Sequence, residues 1–372
     1  MKKILLALLA VVQIGLATSS AGIVFKEGNF YYEIISEEDK TCEVSESPYF
    51  EEWSNPDFYP EDIVIPETVN GYRVIGIGHS AFGSYYFKIK TVNLPNSIVY
   101  IESCAFRNCP ELVKINLNDN ITRIGSDAFI WCRSLSEIHI PQNITIIENY
   151  CFYNCEKLSQ ITFPKNLTKI GDYAFGTCSG ITDLQLPNSV TVIGHGAFEG
   201  CGNMKTISGL YNIASIGSHA FRYTALETCI LGKNLKSVDG GMFGDCKNLK
   251  SVYILNPEPP ESDFDPHGDI LLPDGSPAKS PAGEGSGPNY EINNLAGIYN
   301  ATLYVPEGSI DAYKEANYWK YFKEIKEFDP SGVNAINREK TTSPVIYDIN
   351  GYRQSFPTRG IKIINGRKTM VR

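Results

Sequence analysis

The sequence predicts a solenoid of about eight to nine coils of 23 residues, with a parallel β-sheet on one face and turns and short helical segments on the other. Two observations carry this prediction. The first is a phrase repeated at a fixed period. Ile124-Gly125-Ser126-Asp127-Ala128-Phe129-Ile130-Trp131-Cys132 is one copy and Ile170-Gly171-Asp172-Tyr173-Ala174-Phe175-Gly176-Thr177-Cys178 another. Its phenylalanines are Phe82, Phe106, Phe129, Phe152, Phe175, Phe198, Phe221 and Phe243, spaced by 24, then 23 five times, then 22 residues. The second is a short alternation of apolar and polar residues ahead of each phrase, the period of a half-buried strand.

Each repeat can be numbered from an apolar position 1: Ile89, Leu112, Leu135, Leu158, Ile181, Met204, Leu226 and Leu249. Position 4 is Val92, Ile115, Ile138, Ile161, Leu184, Ile207, Cys229 and Val252. Position 6 is again apolar except at Gly209, and Pro95, Pro141, Pro164 and Pro187 follow it and end the strand. Position 9 is Ser or Asn, short side chains suited to holding a turn through nearby backbone. Position 13 is the Ile or Val before Gly, position 18 the Phe, and position 21 usually Cys. No coil buries its apolar face alone. Stacking about 4.8 Å apart turns these positions into continuous ladders.

Leu-x-x-Ile-x-Leu-x-x-Asn at this period is the leucine-rich repeat pattern. With Pro after the strand and Ile-Gly-x-x-Ala-Phe-x-x-Cys closing the coil, the chain resembles the BspA-like subfamily of bacterial leucine-rich repeats. The resemblance covers residues 62–255 and extends into the N-terminal cap and residues 301–328. It implies a leucine-rich repeat solenoid whose sheet is the ligand-facing surface. It also implies adhesin-like binding to a protein ligand, such as a host matrix protein or another bacterial surface.

In chain order, residues 1–21 read as a secretory signal peptide: Lys2 and Lys3, then an apolar run, then small Ser19 and Ala21. The run is too short to span a bilayer, so no membrane span is expected once it is removed. Residues 22–60 lack the repeat and form an N-terminal cap, where Phe30-Tyr31-Tyr32-Glu33-Ile34-Ile35 can pair with Cys42-Glu43-Val44. Residues 61–255 are the solenoid. Residues 256–289 are a Pro/Gly-rich loop, and residues 290–329 a C-terminal cap repeat with a helix over 309–321 capped by Ser309. Residues 330–372 are a basic tail with hairpin signals at Asn350-Gly351 and Asn365-Gly366. The tail resembles short C-terminal sorting signals of exported proteins; a plain structural role is the alternative.

The net charge of −9 becomes −11 when Lys2 and Lys3 leave with the signal peptide. No basic stripe offsets it, which argues against nucleic acid as a partner. Cys109, Cys132, Cys155, Cys178, Cys201 and Cys246 share position 21, and Thr224 replaces Cys in one repeat. Buried thiols, disulfides and a metal array are all compatible with that spacing; Thr in the same slot favours simple packing. The five His residues (His79, His139, His195, His219, His267) match no nucleophile or zinc motif. No cofactor, metal or catalytic set is expected, and the chain is expected not to be an enzyme.

The outward strand positions 3 and 5 are polar and vary from coil to coil. The expected binding face is Lys114, Asn116, Glu137, His139, Gln160, Thr162, Asp183, Gln185, Thr206 and Tyr253. The function read from these features is a monomeric, secreted or surface-exposed binding protein. A cell-envelope scaffold or glycan-binding module, with a periplasmic location, is the alternative.

Overall fold

The computed structural model describes residues 22–84, 87–262, 295 and 297–330, with the strands Ile346–Tyr347, Arg353–Gln354, Gly360–Ile364 and Arg367–Val371. The expected signal peptide at residues 1–21, the body of the Pro/Gly-rich loop and the rest of the tail lie outside the described residues.

The repeat is a solenoid of parallel sheets. Its first ladder is built from positions 3 to 5 of each coil. Asp62–Val64, Thr91–Asn93 and Lys114–Asn116 pair in parallel; so do Glu137–His139 with Gln160–Thr162, and Asp183–Gln185 with Thr206–Ser208. Thr228–Leu231, Ser251–Ile254, Thr302–Pro306 and Glu324–Phe328 form the last group. Register is strict, as at Glu137↔Gln160 and Ile138↔Ile161. A slip of one residue would turn the apolar position 4 out to solvent.

The opposite side differs from the expected mixture of turns and helical segments. It carries a second row of parallel two-residue strands at positions 12 and 13, in two groups: Tyr100–Ile101 with Arg123–Ile124, and Ile146–Ile147 through Val192–Ile193 to Ser237–Val238. Turns join the two ladders. Among the described residues, regular α-helix is limited to Phe50–Trp53 and Ile310–Glu315. β-Branched Ile and Val at position 13 suit an extended conformation, and only six residues separate the two strands of a coil, as at 117–122.

The turns are tied between coils as well. The Phe106 N–H donates to the Ala128 carbonyl at 2.8 Å, and the Phe152 N–H to Ala174 at 2.8 Å. The phenylalanines stack: Phe106 on Phe129 at 5.3 Å, Phe129 on Phe152 at 5.4 Å and Phe152 on Phe175 at 5.3 Å, all within 10° of parallel. Position 17 is buried beside them throughout, including Cys151 and Met242. Position 9 works differently from the expected local turn bond. The Asn120 and Asn143 amides donate to the carbonyls of Asn96 and Asp119 in the preceding coil, at 2.9 and 2.7 Å.

Gly209 accounts for the one missing apolar residue at position 6. It stands at φ +86°, and a Cβ there would collide with the Leu186 carbonyl. The next residue, Leu210, starts a 3-10 turn and fills the vacated volume.

Both ends are closed by aromatic side chains. In the N-terminal cap, Phe30–Ser36 pairs antiparallel with Thr41–Ser45, which pairs in parallel with Tyr72–Ile77 and so joins the second ladder. Tyr59 and Phe30 pack edge-on against Phe82, at 5.0 and 6.2 Å. At the C-terminal end the chain keeps its pairing up to Glu261, which bridges Ser237. The expected helix over 309–321 is shorter: Ile310–Glu315 ends at extended Ala316, and Tyr318 takes φ +66° before the 3-10 turn Trp319–Tyr321. Breaking the helix there directs Tyr318 and Trp319 inward, where both are fully buried. Ser309 precedes the helix but makes no side-chain cap bond. In the tail, Gly360–Ile364 pairs antiparallel with Arg367–Val371, and Ile346–Tyr347 with Arg353–Gln354; the expected Asn-Gly turns lie outside the described residues.

Candidate binding face of the sheet

The parallel ladder places the expected site residues on one surface because alternation sends positions 3 and 5 outward while position 4 is inward. Lys114, Asn116, Glu137, His139, Gln160, Thr162, Asp183, Gln185 and Thr206 are all exposed. Their contacts run along the solenoid axis. Lys114 and Glu137 form an ion pair at 3.0 Å. The Thr206 hydroxyl donates to Asp183 Oδ1 at 2.5 Å, and Asn116 Nδ2 donates to Asn93 Oδ1 at 3.0 Å. His139 Nε2 lies 3.8 Å from Asp119. These are solvent-exposed links worth little to stability, so the rows are free to vary without cost to the coil. Tyr253 differs from the other nine. It is half-buried, stacked on Tyr304 at 4.4 Å with Phe328 edge-on at 5.4 Å. It forms part of an aromatic patch where the sheet meets the C-terminal cap.

The position-21 cysteines serve packing. All ten cysteines are free thiols. Cys109, Cys132, Cys155, Cys178, Cys201 and Cys246 each donate to the Phe carbonyl of the preceding coil, at 3.0 to 3.2 Å. Thr224 instead bonds its own coil's Phe221 carbonyl at 2.8 Å. Burial pushes the Cys201 thiol up to about 12 and Cys246 to about 11, and holds Cys132 and Cys178 well above the ordinary value. Neutral thiols are poor nucleophiles and poor metal ligands. Among the described residues no group of three His, Cys, Asp or Glu side chains could hold a metal ion.

A second cluster was not read from the sequence. Trp131, Tyr150, Tyr153, Tyr173, His195 and Tyr223 fall at variable positions 15, 16, 19 and 20, and the coil gathers them along the turn edge. Tyr150 stacks on Tyr173 at 5.1 Å, and Tyr173 meets His195 edge-on at 5.0 Å. The signal was present as aromatics recurring near the conserved Phe, but only the coil's closure shows that they share an edge.

His195 is held on both ring nitrogens, by the Tyr173 hydroxyl at 2.7 Å from Nε2 and by Ser218 at Nδ1. Its backbone N–H donates to Asp172 Oδ1 at 2.9 Å. Burial first, then the neighbouring His219, lower its pKa, against the raising effect of Glu199, Asp172 and Asp239. A lowered folded value means that this stability is fully present above the ordinary value of 6.5 and is lost as pH falls through the lower folded value. Melting temperature should therefore fall on acidification from roughly pH 8 to 5, and His195→Gln should make the decline shallower. An identical slope in the variant would assign the acid sensitivity elsewhere.

No helix among the described residues is long and apolar enough to cross a membrane. Comparison with known proteins matches residues 75–183 and 168–258 to the BspA type leucine rich repeat region, a six-copy model. A leucine-rich repeat protein from Bacteroides ovatus is 20% identical, with 82% of this chain and 76% of that chain covered, at a TM-score of 0.53. A leucine rich cell surface protein from Faecalibacterium prausnitzii is 19% identical, with 86% of this chain and 99% of that one covered, at a TM-score of 0.43. The pneumococcal vaccine antigen PcpA is 16% identical, covering 83% of this chain and 100% of that one, at a TM-score of 0.41. No curated protein matches the chain significantly. The repeat phrase, the two parallel ladders and the matched family model agree, and the chain belongs to the BspA-type leucine-rich repeat family.

Proposed function

We propose that this is a non-catalytic, exported binding protein, adhesin-like, which recognises a protein ligand through the outward rows of its sheet. The observation that carries the reading is the contrast between the two sides of each strand. Inward positions repeat almost without change, while Lys114, Glu137, Gln160, Asp183, Asn116, His139, Thr162 and Gln185 differ from coil to coil on a fixed grid. A regular scaffold presenting irregular polar groups is suited to specific recognition, with electrostatic complementarity selecting the partner. The Tyr253 patch supplies an aromatic anchor of the kind that dominates protein interfaces.

Export rests on the basic and apolar start of the sequence, and the basic tail is the candidate sorting element. Protease shaving of intact cells should release a surface-held chain and spare a periplasmic one. For recognition, the full chain should bind at least one immobilised host matrix protein. Substituting Glu137, Gln160 and Asp183 together by Ala should weaken that binding by about tenfold or more, equivalent to about 1.4 kcal/mol per decade. Unchanged affinity for every ligand bound by the native chain would remove the sheet face as the site.

A further inference from the structure

We propose that the turn edge between Trp131 and Tyr223 is a second binding surface, and that its ligand is a neutral oligosaccharide. The coil itself does not need these aromatics. The slot of Tyr150 and Tyr173 is held by Ser80, Cys104, Asp127 and Gly241 in other coils, and each of those coils closes on the same Phe ladder. Among the described residues, aromatic side chains at these turn positions fall in the coils from Trp131 to Tyr223.

The rings are laid down across the backbone. Tyr153 is edge-on to both Tyr150 and Tyr173, at 5.7 and 6.2 Å, and its ring lies over Gly176. A Cβ on Gly176 would approach that ring to 2.8 Å, and one on Gly196 would overlap the ring of Tyr173. Glycine in the following coil thus provides a seat for each ring. Tyr173 lies between Tyr150 of the preceding coil and Gly196 of the following one, and both Tyr153 and Tyr173 remain half-buried, leaving part of each ring at the surface. Tyr223 is 44% exposed.

Polar groups stand between the rings. Asp127 and Glu199 are half-buried carboxylates, each with its pKa raised chiefly by burial. Thr177 donates to Asn154 Oδ1 at 3.1 Å within the same strip. A carboxylate or amide beside an apolar ring face accepts from ligand hydroxyls while the ring covers the ligand's C–H face. The basic groups are already engaged. Arg107 lies over Trp131 at 5.4 Å, and Arg222 is held by Glu199 at 3.6 Å and Asp245 at 3.4 Å. No surplus positive charge is left to select a sulfated or phosphorylated ligand. The strip repeats with the coil, Tyr150 to Tyr173 to His195 advancing by 5.1 and then 5.0 Å. A repeating surface of this kind suits a chain of repeating sugars better than the broad, closely packed patch that a protein partner requires.

The test uses the full chain against neutral soluble glycans (cello-, chito- and xylo-oligosaccharides, laminarin and xyloglucan) by glycan array and affinity electrophoresis. At least one should bind. Tyr153→Ala and Tyr223→Ala should each weaken it by about tenfold or more, while the triple substitution of Glu137, Gln160 and Asp183 leaves it intact. Tyr223 is exposed enough that its loss cannot unfold the coil, and circular dichroism checks both variants. Three results would overturn the proposal: no glycan of the panel binding, binding indifferent to both variants, or both variants losing a protein ligand instead.

Discussion

Phe152→Ala lowers the stability of the central coils by about 3–5 kcal/mol. The ring is fully buried, stacked between Phe129 at 5.4 Å and Phe175 at 5.3 Å, with interplanar angles of 1° and 9°. Its removal opens a cavity that the neighbours cannot fill, because each is fixed in register by its own turn. The Phe152 N–H still donates to Ala174 and its carbonyl still accepts from Cys178, so the backbone resists collapse. In a stacked array each coil contacts only its neighbours, so the defect should divide the solenoid into separately melting halves. Urea or thermal unfolding should show a lower and broader transition. A loss below 1 kcal/mol would mean that the ladder repacks. Phe152→Leu, which retains most of the volume, should recover much of the difference.

Trp319→Ala should have a comparable effect, about 3–5 kcal/mol, confined to the C-terminal end. Trp319 is fully buried, stacks on Phe322 at 6.2 Å and meets Tyr313 and Tyr318 edge-on. Its indole N–H donates to the Pro260 carbonyl at 3.0 Å. Truncation leaves both a cavity and a buried acceptor without its donor. Tyr313 also holds the Asn256 carbonyl, at 2.7 Å, so the segment leading to Glu261 depends on this one aromatic group. Hydrogen exchange should accelerate at Ser251–Ile254 and Thr302–Pro306 and remain slow at Glu137–His139. Uniform acceleration along the chain would show instead that the cap and the central coils unfold as one unit.

The repeat was legible because its physics is local and periodic. Phe, Ala and Cys recur every 23 residues, and only stacking buries them all. The second ladder was harder to see. Two-residue strands are too short to show an alternation, and their pairing lies in the next coil rather than in the chain nearby. The helix over 309–321 was overextended for a related reason. Local propensity favours it, but burying Tyr318 and Trp319 requires the chain to turn at Ala316. The roles of Asn120 and Asn143 follow the same rule, since their partners are 24 residues away.

Residue order alone reveals that the chain forms coils, where each begins, and which residues face inward, because burial demands the same side chains at every turn. It also determined that positions 3 and 5 share a surface, since alternation along a strand fixes them. Which variable residues meet is set by the folded coil. Lys114 pairs with Glu137, Tyr253 joins Tyr304 and Phe328, and Tyr150, Tyr153 and Tyr173 share one edge with His195. Those contacts depend on the rise and closure of the coil, which place residues one repeat or more apart within a few ångströms, and no local pattern in the chain records that distance.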